Sequence, residues 1–317
     1  MSAMTRRSHL ARHSAGLLAV AAIVVVLTFV LVRVAPGNTV TALTGNRGTA
    51  ASHAALRARL GLDDPLLTQF WHYVNGLFHG DLGSSLVQQG RPVSAIIGDT
   101  LPVTLSLIVA TIVVSAAIGV PLGLLAAINP VRGSDLTVRV GLSLLLASPP
   151  FFLGLLLIIG PALAWGWAPA GGWPAAWPDA VRYLMLPSLA LAGYLVPILA
   201  RTVRQVAADT MREQWYEAAI ARGLSRFTVI SRHLLPNSLL PVITLLALNA
   251  GALVAGAVVV EAVFGLPGIG QELITSIQQR DYPCVQGIAL VTALIVVACN
   301  LIADVLYQFV DPRTRRA

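Results

Sequence analysis

The sequence contains no lysine, few charged residues and only two cysteines. All 21 of its basic residues are arginine, so a phosphate-binding loop of the form G-x-x-x-x-G-K-[ST], which requires a lysine, is excluded. Any nucleotide that supplies energy must therefore bind to another chain. Cys284 lies in a polar stretch and Cys299 in an apolar one, so we expect them at different depths and predict no disulfide.

What the chain has in abundance is apolar sequence. Apolar residues make up 56% of its 317 residues and charged residues 11%, whereas about 25% of the residues in a soluble domain are charged. Because a helix needs about 20 apolar residues to cross a bilayer, the sequence predicts an all-α membrane protein with six transmembrane helices. The candidate spans are residues 14–34, 101–127, 140–164, 183–202, 239–260 and 285–303.

The distribution of arginine predicts which side of the membrane each segment faces. When the segments between spans are assigned alternately to two sides, 14 arginines fall on one side and 7 on the other, and the richer side is expected to be cytoplasmic. Both termini and the segment between spans four and five are then cytoplasmic. The basic start of the chain is typical of a signal peptide, but its apolar run is long enough to span, so we predict a retained first helix.

The segment from residue 35 to residue 100 is the longest one predicted outside, and part of it is an amphipathic helix. Asp64 can cap this helix, Pro65 can begin it, and the apolar residues of 66–78 fall on one stripe. Such a helix lies on the membrane or on the other spans. Four tryptophans between spans three and four indicate an interfacial belt, with stacking on a ligand as the alternative; they are Trp165, Trp167, Trp173 and Trp177.

A polar interval, residues 215–237 (WYEAAIARGLSRFTVISRHLLPN), interrupts the apolar second half of the chain. Helix-forming residues predict a helix over residues 209–222 that stops at Gly223. Ser225 can cap a second short helix that ends at Pro236, in the first turn of span five. The pattern alone leaves two interpretations open, a solvated connector whose arginines contact lipid headgroups and a docking element for a partner.

This interval resembles the EAA loop of bacterial ABC-importer permeases. The matching positions are Glu217, Ala218, Ala219, Gly223, Leu235 and Pro236. His233 departs from the wide consensus but looks like the RHxLPN form of the dipeptide, oligopeptide and nickel subfamily. Three other stretches also resemble that subfamily, in the same order; they are residues 59–85, 263–287 and 300–313.

The resemblance implies a type I ABC importer permease fold with four segments. These are the cytoplasmic N-terminus with the first helix (residues 1–34), an external segment with the amphipathic helix (35–94), a five-helix core with a coupling loop at 205–236 (95–310), and a cytoplasmic tail (311–317). It also implies a non-catalytic subunit in a bacterial plasma membrane.

The implied partners are a second homologous permease, cytoplasmic ABC ATPases, an extracytoplasmic binding protein and membrane lipid, with no nucleic acid. ATP and Mg²⁺ would bind the ATPases, and no cofactor is expected on this chain. The implied cargo is a dipeptide or oligopeptide, with nickel or glutathione as alternatives.

Polar residues in or near the spans are candidates for the translocation path, because membrane-embedded polar groups usually face an interior or a cavity. These candidates are Asn249, Glu261 and Asp304. Asn249 can instead bond a neighbouring helix, while Glu261 and Asp304 lie near span ends and can reach water. Prolines are expected to kink or interrupt spans three and four; they are Pro149, Pro150, Pro187 and Pro197.

Two other functional classes occur among membrane proteins of this kind. An intramembrane protease needs a nucleophile with a base, or two carboxylates, at membrane depth. Ser143 lies in span three, but every histidine falls outside the spans, so no histidine base is available. Asp304 has no evident second carboxylate beside it. A passive channel or receptor remains compatible with the topology, although neither needs a segment that docks an ATPase.

Overall fold

The computed structural model describes residues 19–30, 64–128, 132–174 and 177–310. In these ranges the regular elements are helices, apart from one isolated bridge between Ser84 and Pro92, which confirms the all-α prediction. The chain divides into two compact units. Unit 1 comprises Met1–Val103 and Gly268–Val297, and unit 2 comprises Thr104–Pro267 and Ala298–Ala317.

The α-helices are numbered here in chain order. They are α1 (Ala19–Val30), α2 (Leu66–Phe78), α3 (Val93–Ile128), α4 (Arg132–Ala147), α5 (Pro150–Leu157), α6 (Ala180–Thr210), α7 (Gln214–Ala221), α8 (Arg226–Val229), α9 (Leu235–Phe264), α10 (Ile269–Gln278) and α11 (Tyr282–Val310). A π-helical segment, Ile158–Ala164, extends α5, and another, Ile230–Leu234, joins α8 to α9.

Four stretches in the described part of the chain are helical, long and apolar enough to cross a membrane. They are Val93–Ile128, Trp177–Thr210, Pro241–Phe264 and Tyr282–Ala303. They contain predicted spans two, four and six and most of span five. Only Ala19–Val30 of the predicted first span is described, and it is helical.

The predicted third span is strongly bent. Its two halves, Arg139–Ala147 and Pro150–Ala164, meet at an angle of 106°. Proline removes a helical donor and disfavours helical geometry at the preceding residue, so the expected interruption at Pro149 and Pro150 is confirmed. In contrast, Pro187 and Pro197 lie inside a continuous α6, which does not break there.

In unit 2, helices α3 and α6 approach each other closely. A Cβ atom on Gly123 would lie 2.6 Å from the carbonyl oxygen of Ala200, and one on Gly119 would lie 2.9 Å from the Cβ of Leu199. No larger residue fits these positions without movement of the backbone. Small residues at a helix contact are a common basis of packing between transmembrane helices.

In unit 1, an apolar core joins three helices that are distant in sequence. It contains Val93, Ile96 and Ile97 of α3, Ile269 of α10, and Cys284 and Ile288 of α11. A Cβ atom on Gly287 would lie 2.6 Å from Cγ1 of Val93, so α11 and α3 are in close contact here.

The predicted amphipathic helix is α2, and it packs on α1. The rings of Phe70 and Phe29 are 5.0 Å apart, and the Tyr73 hydroxyl lies 3.3 Å from Oγ1 of Thr28. The predicted start of the helix is slightly wrong, because α2 begins at Leu66 with Pro65 as its cap residue and without a side-chain cap.

Candidate functional site

The polar interval that resembles the EAA loop contains one short helix between two long ones. We expected a single helix over residues 209–222, and this is wrong. Helix α6 continues to Thr210, a turn follows, and α7 begins at Gln214. The Glu213 carboxylate precedes α7 and accepts a 2.6 Å hydrogen bond from Nε1 of Trp215, so the turn is tied to the first residues of α7.

Helix α7 ends as predicted, at a left-handed glycine. Gly223 has a φ of +83°, a conformation that costs residues with a Cβ atom. Its N–H donates to the Ile220 carbonyl at 2.9 Å, and the N–H of Leu224 donates to the Ala219 carbonyl at 3.3 Å. This pair of bonds is a Schellman motif, and it gives the chain a defined elbow after α7.

The expected second cap is also confirmed. Oγ of Ser225 accepts a 3.2 Å hydrogen bond from the N–H of Thr228, as a residue preceding a helix does. The expectation that this second helix ends at Pro236 is wrong. Helical geometry continues from α8 through the π segment into α9, and Pro236 lies within the first turn of α9. Proline removes one helical hydrogen bond at this position, and the change from π to α geometry occurs directly before it.

The result is a helix that runs from Arg226 to Phe264, about 58 Å at 1.5 Å per residue. The hydrocarbon core of a bilayer is about 30 Å thick. The elbow at Gly223 is therefore attached directly to a helix that is longer than the core it would cross.

The residues of the EAA match differ in exposure. Glu217, Ala218, Gly223 and Pro236 are exposed, whereas Ala219 and Leu235 are half-buried. Three large apolar side chains around the elbow are also exposed; they are Ile220, Leu224 and Phe227, the last at 78%. Sequence reasoning missed this apolar set, although its spacing of four and three residues was a visible signal. Exposed apolar side chains in an otherwise polar interval are available to a partner.

Asn249, a candidate path residue, bridges two helices of unit 2. Its Oδ1 accepts a hydrogen bond from the Tyr194 hydroxyl at 3.2 Å, and its Nδ2 donates to the Leu245 carbonyl at 2.8 Å. Of the two roles considered for Asn249, the bond to a neighbouring helix is observed. The side chain is half-buried, so it also retains access to its surroundings.

Glu261 does not reach water, contrary to one of the expectations. Its exposure is 0%, and its Oε1 accepts a 2.6 Å hydrogen bond from Oγ1 of Thr104. Burial of a carboxyl group requires such partners. The side chain of Asp304, the third candidate, lies outside the described residues.

The end of α9 near Glu261 is tightly packed. The Phe264 carbonyl accepts a 2.8 Å hydrogen bond from the N–H of Gly172. A Cβ atom on Gly154 would lie 3.0 Å from the ring of Phe264. The helix then stops at Gly265, whose φ is +61°.

Sequence reasoning also missed a buried carboxylate in unit 1. Asp281 is 1% exposed and accepts hydrogen bonds from Oγ of Ser85 and from the N–H groups of Leu86, at 3.1 Å, and Val87, at 3.4 Å. Asp281 is almost 200 positions away from these residues, so no local pattern indicated the contact.

Comparison with known proteins identifies the family. Residues 119–316 match the family described as "Binding-protein-dependent transport system inner membrane component", and residues 6–108 match the N-terminal region described for such membrane components. The chain belongs to this family of transport permeases.

Relatives of this permease match it over almost their whole length. It is 37% identical to the probable D,D-dipeptide transport system permease protein DdpB of Escherichia coli (strain K12), with 99% of both chains covered. It is 36% identical to the dipeptide permease DppB of the same strain, covering 92% of this chain and 94% of DppB. It is 35% identical to the glutathione permease GsiC of Salmonella typhimurium, covering 95% and 96%.

A solved structure supports the fold of the permease. The MetNI methionine ABC transporter, in an inward-facing conformation, matches with a TM-score of 0.56 and 17% identity over 68% of this chain and 96% of that chain. The fold is that of a type I ABC importer permease. Membership of the family makes this chain an inner-membrane subunit that works with an ATPase and a binding protein.

Proposed function

We propose that this permease is the non-catalytic, membrane-spanning subunit of an ATP-driven importer that carries peptides delivered by an extracytoplasmic binding protein. Its named relatives support the cargo class, since DdpB and DppB are dipeptide permeases and AppB of Bacillus subtilis is an oligopeptide permease. GsiC, a glutathione permease, makes this modified tripeptide a second candidate cargo.

The observation that carries the coupling part of the proposal is the exposed helix α7 with its elbow. Glu217 and Ala218 are exposed, and so are Ile220, Leu224 and Phe227. A connector whose arginines contact water and lipid headgroups does not need three exposed apolar side chains, whereas a docking helix uses them to bury area against its partner. We assign the groove on an ATPase as that partner.

Coupling follows from the short connections between α7 and its neighbouring helices. Three residues separate α6 from α7, and four separate α7 from α8. A displacement of α7 by the ATPases is passed to α6 through the first turn and to α8 and α9 through the elbow. Since rigid helices transmit such displacements with little loss, closing of the ATPases would alternate access between the two membrane faces.

The orientation of the chain in the membrane is part of the same proposal. Both termini and α7 face the cytoplasm, where the ATPases are, and the segment after α9 faces outside. A second related permease completes the path. Tyr194 and Asn249 present a phenol and an amide that can hydrogen-bond a peptide backbone, and we assign them to the path. We assign Asp304 and Glu261 to it together with them, and the carboxyl group of Glu261 also bonds Thr104.

The test is purification of the tagged chain co-expressed with the proteins encoded beside it, followed by mass spectrometry and an ATPase assay. We expect a second six-span protein and an ATPase to co-purify, with hydrolysis raised by the binding protein loaded with a dipeptide or oligopeptide. Stimulation by glutathione alone would replace the cargo assignment. A chain that purifies alone and without ATPase activity, while a control transporter stays intact, would support a channel or receptor.

Variants in the coupling segment, which is the loop of residues 205–236, test whether Glu217 contacts the ATPases. Glu217→Ala removes a side chain at the proposed contact, and Asp209→Asn changes an exposed carboxylate just before the turn as the matched control. We expect only Glu217→Ala to reduce ATPase co-purification and stimulated hydrolysis. Removing one partner of a buried charge pair costs roughly 3–5 kcal/mol, whereas an exposed pair contributes about 0–1 kcal/mol, so the size of the loss reports whether the contact is desolvated.

A further inference from the structure

A strap in unit 1, defined as residues 84–92, is fastened by the buried Asp281. The Asp281 carboxylate accepts from the Ser85 hydroxyl and from two successive backbone N–H groups of the strap. The Ser85 Oγ accepts in turn from the N–H of Gln88 at 2.8 Å. Because one side chain accepts from three donors of the strap, this cluster, here called the clasp, holds the strap in one shape.

A second link holds the strap to α10. Nε2 of Gln88 donates to Oε1 of Glu272 at 2.8 Å. Within the strap, the N–H of Ser85 donates to the Arg91 carbonyl at 2.8 Å, and the N–H of Gly90 donates to the Ser85 carbonyl at 3.1 Å. The strap leads directly into the apolar core of unit 1 at Val93. It is therefore a fixed feature of the unit.

The side chains around the clasp point to a surface in water. Val87 is 44% exposed although its N–H bonds Asp281, and Arg280 and Gln89 are exposed. Gln89 and Arg280 also have positive φ angles, +53° and +58°, which cost energy for residues with a Cβ atom. Exposed backbone turns and charges of this kind do not occur against lipid hydrocarbon.

The position of Asp281 in the chain places this surface on the outer side. Residues 265–281 follow α9, and the coupling segment precedes α9. If the coupling segment faces the cytoplasm, the clasp faces the compartment in which the binding protein works. This step rests on the proposed function.

We infer that Asp281 is a positioning residue whose clasp holds Val87 and Arg280 in a fixed surface on which the binding protein docks. The mixture of an exposed apolar side chain, a guanidinium and polar backbone suits a partner that must bind and leave in every cycle. A surface fixed before contact loses little conformational entropy on binding, which favours rapid and reversible docking. A lipid partner would need an apolar face, which the strap does not present.

The experiment measures ATP hydrolysis by the complete reconstituted complex as the concentration of peptide-loaded binding protein is raised. Asp281→Asn keeps the size of the side chain but loses its charge and one acceptor oxygen. We expect the half-saturating concentration of binding protein to rise about tenfold, or about 1.4 kcal/mol, with the basal and maximal rates unchanged. A merely structural role would lower the rates or the yield and leave half-saturation unchanged, and that result would overturn the inference.

Surface variants keep the inference testable if Asp281→Asn does not assemble. Val87→Glu and Arg280→Glu alter the displayed side chains without removing a clasp acceptor, and each must also raise the half-saturating concentration. Asp64→Asn, an exposed carboxylate of the same unit, is the matched control and should change nothing. Unchanged half-saturation in either surface variant contradicts the docking surface. If the unaltered chain fails to form an active complex, it is the proposed function that fails.

Discussion

The coupling segment and the clasp are both short polar stretches beside transmembrane helices, but they use their polar residues in opposite ways. In α7, Glu217 is exposed and lies beside exposed apolar side chains. In the clasp, Asp281 and Ser85 are each 1% exposed and bonded to each other. An exposed carboxylate in an ordered helix is available to a partner, whereas a buried, fully bonded one determines the shape of its own chain.

This difference predicts whether changes in each region affect the isolated chain or the assembled transporter. Changes in α7 should leave the isolated chain intact and impair the assembled transporter. Changes in the clasp should lower the stability of the isolated chain, because a buried donor without an acceptor has lost its hydrogen bond to water and gains none in return.

The largest effect is expected from Gly223→Pro. Proline requires a φ near −65°, whereas Gly223 has +83° and donates its N–H to Ile220, so the elbow cannot form. We expect ATP hydrolysis to lose all stimulation by the binding protein. Gly223→Asn, which tolerates a left-handed conformation, should keep most of it; equal behaviour of the two variants would refute a role for the elbow geometry.

Asp281→Ala should be the most destabilising change to the chain itself. It leaves the Ser85 hydroxyl and two N–H groups without their acceptor, at a cost of about 3 kcal/mol. Denaturant unfolding of the purified chain in detergent measures this loss, with Asp64→Ala as the exposed control. A shift no larger than that of the control would mean that the carboxylate is dispensable for the clasp.

Ser85→Ala should have a smaller effect of the same kind. It removes one donor to Asp281 and the acceptor for the N–H of Gln88 but keeps both backbone bonds, so we expect about 1.5 kcal/mol. The neighbouring Ser84→Ala, at an exposed position, should stay near zero in the same unfolding assay. If the two serines behave alike, the hydroxyl contributes nothing.

Glu217→Ala should have the smallest effect on stability. Substitutions of exposed residues usually change the free energy of unfolding by no more than about 0.5 kcal/mol. The unfolding curve of the isolated chain should therefore match that of the unaltered protein, even though the assembled complex is impaired. A loss of several kcal/mol in the isolated chain would show that Glu217 belongs to the fold and not to a docking surface.

Local chemistry predicted the features that depend on neighbouring residues. Three of them follow from the local preferences of single residues. They are the interruption at Pro149 and Pro150, the left-handed conformation of Gly223 and the cap at Ser225. The predicted helix end at Pro236 was wrong because a proline at the start of one helix does not show whether the helix before it ends there or continues. Only packing of the preceding turn, where Val229 and Leu234 are fully buried, decides between them.

Long-range contacts could not be predicted from one sequence. Glu261 was a candidate for the path, with contact to water as the alternative because it lies near the end of a span. It is instead fully buried and bonded to Thr104, which is far away in sequence. The same holds for Asp281 and Ser85. Hydrophobic periodicity specifies which faces are buried but not which polar residue meets which, so buried polar pairs are found only in the folded structure.

Docking of the ATPases on α7 is tested by measuring how accessible this helix is to a chemical label. Ala218→Cys, at an exposed position, is introduced with Cys284 and Cys299 replaced by alanine, and its maleimide labelling is compared in the isolated chain and in the complex with the ATPases. Asp64→Cys serves as the reference. We predict rapid labelling of residue 218 in the isolated chain and strong protection in the complex, with the reference unchanged. Equal labelling of residue 218 in both would contradict docking of the ATPase on α7.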